Sequence, residues 1–209
     1  MLNFIDPTER WNVFTHSLGV ILGIVVSTYF FAQHSSEQPR VLIALGIYCF
    51  SLVFLFLAST LYHATSGDVK LTWRKVDHIA ILFLIAGTYT PVMLTLLYET
   101  SGVWILTGVW SIAAVGFIFK IFFTGRFEIL SLIMYIGMGW FILLDAQTVW
   151  ELFSTNSFTF LILGGSCYTI GVFFYRWKGY KEAHAIWHVW VLAGALSHAF
   201  MINEILLIN

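Results

Sequence analysis

Three histidines and an aspartate stand in this sequence where apolar residues would be expected. His184 and His188 lie four apart in HAIWHVW, at the start of the last long apolar stretch. Residues i and i+4 share one face of a helix, so both imidazoles can reach a common point. His63 closes the segment STLYH, with Ser59 one turn before it on the same face, and Asp77 opens the next apolar stretch. Three histidines form a ligand set for catalytic zinc, with water in the open fourth position, and neutral imidazole suits that metal. Spacing leaves two other readings open. A proton relay inside a membrane uses the same residue types, and a histidine at a helix end often serves only packing. The H-x-x-x-H pair also lacks the adjacent glutamate of the metalloprotease motif.

The elements that must position these residues are membrane helices. Of the 209 residues, 59% are hydrophobic and only 10% charged, against roughly a quarter charged in a soluble domain. Seven apolar stretches are each long enough to cross a bilayer core, which takes about 20 residues. They run from Trp11 to Ala32, Val41 to His63, Val76 to Tyr98, Val103 to Phe122, Phe127 to Asp145, Phe158 to Tyr175 and His184 to Ile208. None alternates with period two, so helices are expected. The connectors are short, which predicts one seven-helix transmembrane domain over residues 1–209. With the N-terminus cytoplasmic, the inner segments hold Arg10, Lys70, Arg74, Lys75, Lys120, Arg126, Arg176, Lys178 and Lys181, and the outer ones hold Arg40 alone. Nine against one satisfies the positive-inside rule and places the C-terminus outside. This topology brings His63, Asp77, His184 and His188 to the inner leaflet.

A net charge of -1 gives no argument for nucleic-acid binding, and the opening MLNFIDPTER has no basic region that would mark a cleaved leader. Cys49 and Cys167 lie inside apolar runs and read as small core residues. Gly19-x-x-x-Gly23 and the pair Gly164, Gly165 predict close helix packing. Pro91 should bend the third helix. His198 reads as an interhelical hydrogen bonder, and His16, at the correct leaflet, as a packing residue with a supporting role behind the ligands as the alternative. His78 should point away from Asp77, whose simplest partner would be Arg74 or Lys75, and His34 should be solvated in an outer loop.

Longer motifs carry a family resemblance. FLASTLYHA (56 to 64), KVDHIAILFLIAGTYTP (75 to 91), ILSLIMYIGMGW (129 to 140) and HAIWHVWVLAGALSHAF (184 to 200) resemble the bacterial hemolysin III proteins, the prokaryotic branch of the progestin and adipoQ receptor family. The resemblance covers essentially the whole chain, including ERWNVFTHSLG near its start. It implies a zinc ion near the inner leaflet with His63, His184 and His188 as ligands, Asp77 holding the zinc-bound water and Ser59 beside it. From this we expect a multi-pass protein of the bacterial inner membrane that hydrolyses a lipid amide or ester, in the manner of a ceramidase, and adjusts membrane fluidity. Asp77 would act as general base and Ser59 would hydrogen-bond the water or the oxyanion. The rival expectations are a non-enzymatic membrane-stress sensor with a structural zinc, and a hemolysin-type pore. The sequence supports the pore least, because no helix carries a polar stripe along its full length. Oligomeric state is left open.

Overall fold

A computed structural model describes residues 5–208 of the chain. Its elements are α1 (Arg10–Gln33), α2 (Pro39–Ala64), α3 (Gly67–Leu94), α4 (Gly102–Phe123), α5 (Glu128–Gly139), a 3-10 segment (Phe141–Asp145), α6 (Ala146–Leu152), α7 (Thr155–Arg176) and α8 (Ala183–Ile208). The α5, 3-10 and α6 pieces together make one span, Glu128–Leu152, so seven helical segments are long and apolar enough to cross a membrane. Among the described residues there is no strand. In hydrocarbon, where backbone groups cannot turn to water, continuous helices satisfy them internally.

Two segments depart from the expected boundaries. Helix α3 starts at Gly67, not Val76, and ends at Leu94, not Tyr98. Charged residues interrupt an apolar run without interrupting a hydrogen-bond ladder, so Lys70, Arg74 and Lys75 belong to the helix and not to a loop. The fifth span is neither one helix nor complete at Asp145. It breaks at Gly139–Trp140, turns through the 3-10 segment and continues to Leu152. Tyr89 of α3 bridges the break: its hydroxyl donates to the Gly139 carbonyl at 2.9 Å and accepts from the Ile142 N–H at 3.0 Å. A side chain from a neighbouring helix thus replaces the missing backbone bonds.

Helix α1 packs between α2 and α8, α2 and α4 flank α3, and α7 lies along α8. Burial is unequal. Within their apolar windows α2, α3 and α8 are 56%, 67% and 50% buried, against 22% to 28% for the others. Those three central helices carry Ser59, His63, Asp77, His184 and His188. The peripheral helices turn Phe122, Val115 and Ile118 outward, as a lipid-facing surface requires.

Close approach depends on glycine, as expected. A methyl group at Gly19 would overlap the Phe56 ring, and one at Gly164 would overlap the His198 imidazole. His198 Nε2–H donates across that contact to the Leu161 carbonyl at 3.4 Å. His34 is not solvated. It caps α1 by donating its backbone N–H to Phe30, and its ring folds back against the Phe30 ring, leaving it 5% exposed.

Helix contacts of this kind make a direct prediction. Gly19→Ala forces Phe56 to move and should cost about 1–3 kcal/mol, as overpacking does. Gly46→Ala, which meets nothing within 4 Å, should be neutral or stabilising. Thermal denaturation in detergent reads both, and equal midpoints would show that the α1–α2 contact is slack.

Candidate metal centre

The end of α2 and the starts of α1, α3 and α8 meet at one end of the bundle. The three imidazoles there form a nearly equilateral group. Ring centroids lie 5.2 Å apart for His63 and His184, 4.9 Å for His63 and His188, and 4.7 Å for His184 and His188. Each offers one ligand nitrogen, and these nitrogens all lie within 4.8 Å of one another. The group could therefore hold a metal ion. His63 and His188 are buried and His184 is half-buried. Such a set in a dry environment is costly unless its nitrogens are engaged.

The orientation of the rings is set from outside the group. Glu9, just before α1, places Oε2 2.6 Å from His63 Nδ1, so that nitrogen carries the proton and donates it. His63 Nε2 is buried with no protein partner, which is the state of a nitrogen left free for a metal. Glu9 also accepts from Asn12 Nδ2 and Lys70 Nζ, each at 2.7 Å. Burial alone would raise the Glu9 pKa, but these hydrogen bonds from His63, Lys70 and Asn12 outweigh it and hold the carboxyl well below its usual range. On α8, His188 Nδ1 lies 3.3 Å from Thr15 Oγ1, whose own hydrogen goes to the Trp11 carbonyl. The hydroxyl therefore accepts from His188 Nδ1–H. A carboxylate or hydroxyl that fixes the tautomer of a ligating imidazole is the usual support of such sites.

Asp77 and Ser59 line a cavity of about 290 Å³ together with His184 and His188. Both are buried, at 9% and 1% exposure. Two expectations about Asp77 are corrected. Its neighbour is His78, with Nδ1 3.3 Å from Oδ2, and not Arg74, which faces Glu128 instead. Although about 100° apart on α3, the two adjacent side chains fold towards each other. His16 is more central than its sequence position indicated. Its ring stacks on His188, with centroids 3.7 Å apart and planes 17° from parallel, and meets the edge of Phe56 on another side. Neither His16 nitrogen has a hydrogen-bond partner.

Sequence reasoning missed Glu9 and Thr15 as orienting groups. The signal was present but weak: Glu9 precedes the first span and Thr15 lies in its opening turns, at the end to which the charge count assigns the histidines. Metal-supporting partners of this kind are worth about 10–100-fold in affinity. Glu9→Gln should therefore weaken binding of a divalent metal by that factor, as read by competition with a chromophoric chelator. Unchanged affinity would mean that Glu9 serves only the α1–α3 ion pair with Lys70.

Residues 4–199 match the family model described as Haemolysin-III related. A protein named Hemolysin-3 homolog from Bacillus subtilis (strain 168) is 39% identical over 95% of this chain and 94% of its own length. Hemolysin-3 from Bacillus cereus is 36% identical over 93% and 90%. The human protein named Monocyte to macrophage differentiation factor is 28% identical over 91% of this chain and 81% of its own. The seven helical spans and near full-length similarity agree: this chain belongs to the haemolysin-III-related family of multi-pass membrane proteins.

Proposed function

We propose that this protein is a zinc-dependent hydrolase of a membrane lipid amide or ester, acting in the bacterial inner membrane with its N-terminus inside. The observation that carries this reading is the triangle of His63, His184 and His188, two of whose members line one cavity with Asp77 and Ser59. Nitrogen-only donors without a competing thiolate suit zinc. Held there, zinc supplies a Lewis acid and lowers the pKa of a water to about 7.

The remaining chemistry belongs to the side chains. Asp77 accepts the proton of the attacking water and later returns it to the departing amine or alcohol. Ser59 Oγ–H donates to the oxygen on which negative charge develops at the acyl carbon. A second cavity of about 100 Å³ supports a lipid substrate, because it shares Leu55, Ile81, Leu132, Tyr135, Trp187 and Val191 with the first and is otherwise mostly apolar. An acyl chain in it would bring its carbonyl towards the histidine end. Adjusting acyl-chain content would then tune membrane fluidity.

The second reading is a structural metal in a membrane-stress sensor or stabiliser. Its support is that Glu9, His63 and Lys70 already tie the start of α1 to α2 and α3, and a metal would add α8. A pore is favoured least, because the polar cavity gives way to apolar walls.

Asp77→Asn decides between the first two. The hydrolase reading expects retained metal and a loss of turnover of about 10²–10⁴-fold, the size of a general-base contribution. The structural reading expects no change there. The His184→Ala, His188→Ala double variant should lose its metal on either reading. Chelator should lower the melting temperature of the wild type and leave that variant unmoved. Metal content and melting curves of the purified proteins check this directly.

A further inference from the structure

The cavity has a second chemical side that the hydrolase reading does not use. Lys120, in the last turn of α4, is 1% exposed and lines the cavity with its ammonium turned inward. Its Nζ donates to Ser131 Oγ of α5 at 2.5 Å and stands 5.6 Å from the Tyr135 ring centre. Both partners are neutral. Among the described residues no carboxylate lies within ion-pair distance of Lys120, although Lys70 and Arg74 each have one. A buried ammonium normally requires a counter-charge.

Arg74 lines the same cavity and is incompletely matched. Its NH2 approaches Glu128 Oε1 at only 3.6 Å, and its Nε is buried without a partner. Gly125, at φ +81° in the α4–α5 turn, brings the backbone close to that guanidinium, where a side chain would crowd it. Arg176 and Lys178 complete the wall, so four cationic side chains face two carboxylates, Asp77 and Glu128. Resting on the lipid-binding part of the reading above, we propose that Lys120 and Arg74 form an anion subsite for the phosphate headgroup of an amphiphile whose chain occupies the adjoining apolar cavity. Phosphate fits because its several oxygens can accept from an ammonium and from a guanidinium fork at once. The chain is expected to lie along the walls that the two cavities share, which include Trp187.

The test is a binding titration on purified full-length protein in dodecyl maltoside, read by tryptophan fluorescence. Three probes are compared: lysophosphatidic acid, the monoacylglycerol with the same chain, and inorganic phosphate. The wild type should bind the lysophosphatidic acid at least 10-fold more tightly than the neutral lipid. Lys120→Met should lose about 10-fold for the anionic probe and nothing for the neutral one, while Lys120→Arg retains the preference. Should Lys120→Met not fold, Arg74→Met at the half-exposed rim should still weaken the anionic probe severalfold. Phosphate bound with the same Lys120 dependence would support the anion site and identify a free anion as the ligand. Equal binding of charged and neutral lipids by the wild type would overturn the proposal, as would a Lys120→Met variant that keeps the preference. Turnover fails independently: a dead Asp77→Asn variant that still prefers the anion separates the two readings. Hydrolysis of an uncharged lipid with no anion preference would sustain the hydrolase and remove this subsite.

Discussion

Polar groups inside a bilayer have no water to fall back on, so each must find its partner within the chain. Much of this structure can be read from that constraint. Glu9 answers it at one end by accepting from His63, Lys70 and Asn12 together. Tyr89 answers it in mid-membrane, where the fifth span breaks and its hydroxyl takes up both a free carbonyl and a free N–H. Thr88 and Thr90 answer it locally, returning their hydroxyls to carbonyls one turn back in α3. The atoms left unanswered are then informative, and the His63 Nε2 and both His16 nitrogens lie together at the histidine group.

The distribution of burial follows the same logic. Lipid tails are as apolar as leucine, so helices gain little merely by hiding hydrophobic side chains from them. Close packing at small residues and polar contacts must hold the bundle instead. Helices α2, α3 and α8 collect those contacts and become central. They are the helices on which polar side chains can be afforded, and His63, His184, His188, Asp77 and Ser59 all sit on them. The cavity between them is polar at one end and apolar beyond, a shape suited to an amphiphile.

Where reading the sequence went astray, tertiary contact was the reason. His34 lies in a loop as expected but is not solvated, because the short turn after α1 folds its ring onto Phe30. His78 looked misdirected by its helical position, yet it leans on Asp77. Lys120 counted only as an inner-side charge, because nothing in its neighbourhood in sequence indicates that Ser131 and Tyr135 enclose it. The break in the fifth span was hidden because Gly137 and Gly139 are tolerated within an apolar run, and the hydroxyl that rescues the break lies 50 residues earlier.

What the sequence determined by itself was the number and kind of the spans, and the residues able to bind a metal. Hydrocarbon thickness sets helix length, and the 3.6-residue repeat puts His184 beside His188 and Ser59 beside His63, so both are local properties. Only the tertiary structure decided which imidazole nitrogens are left free, that Glu9 and Thr15 orient the rings, that His16 stacks on His188 and that Lys120 faces the cavity. Those depend on how α1, α4 and α5 seat against the central helices. That seating is fixed by side-chain fit between segments far apart in the chain, which no local pattern encodes.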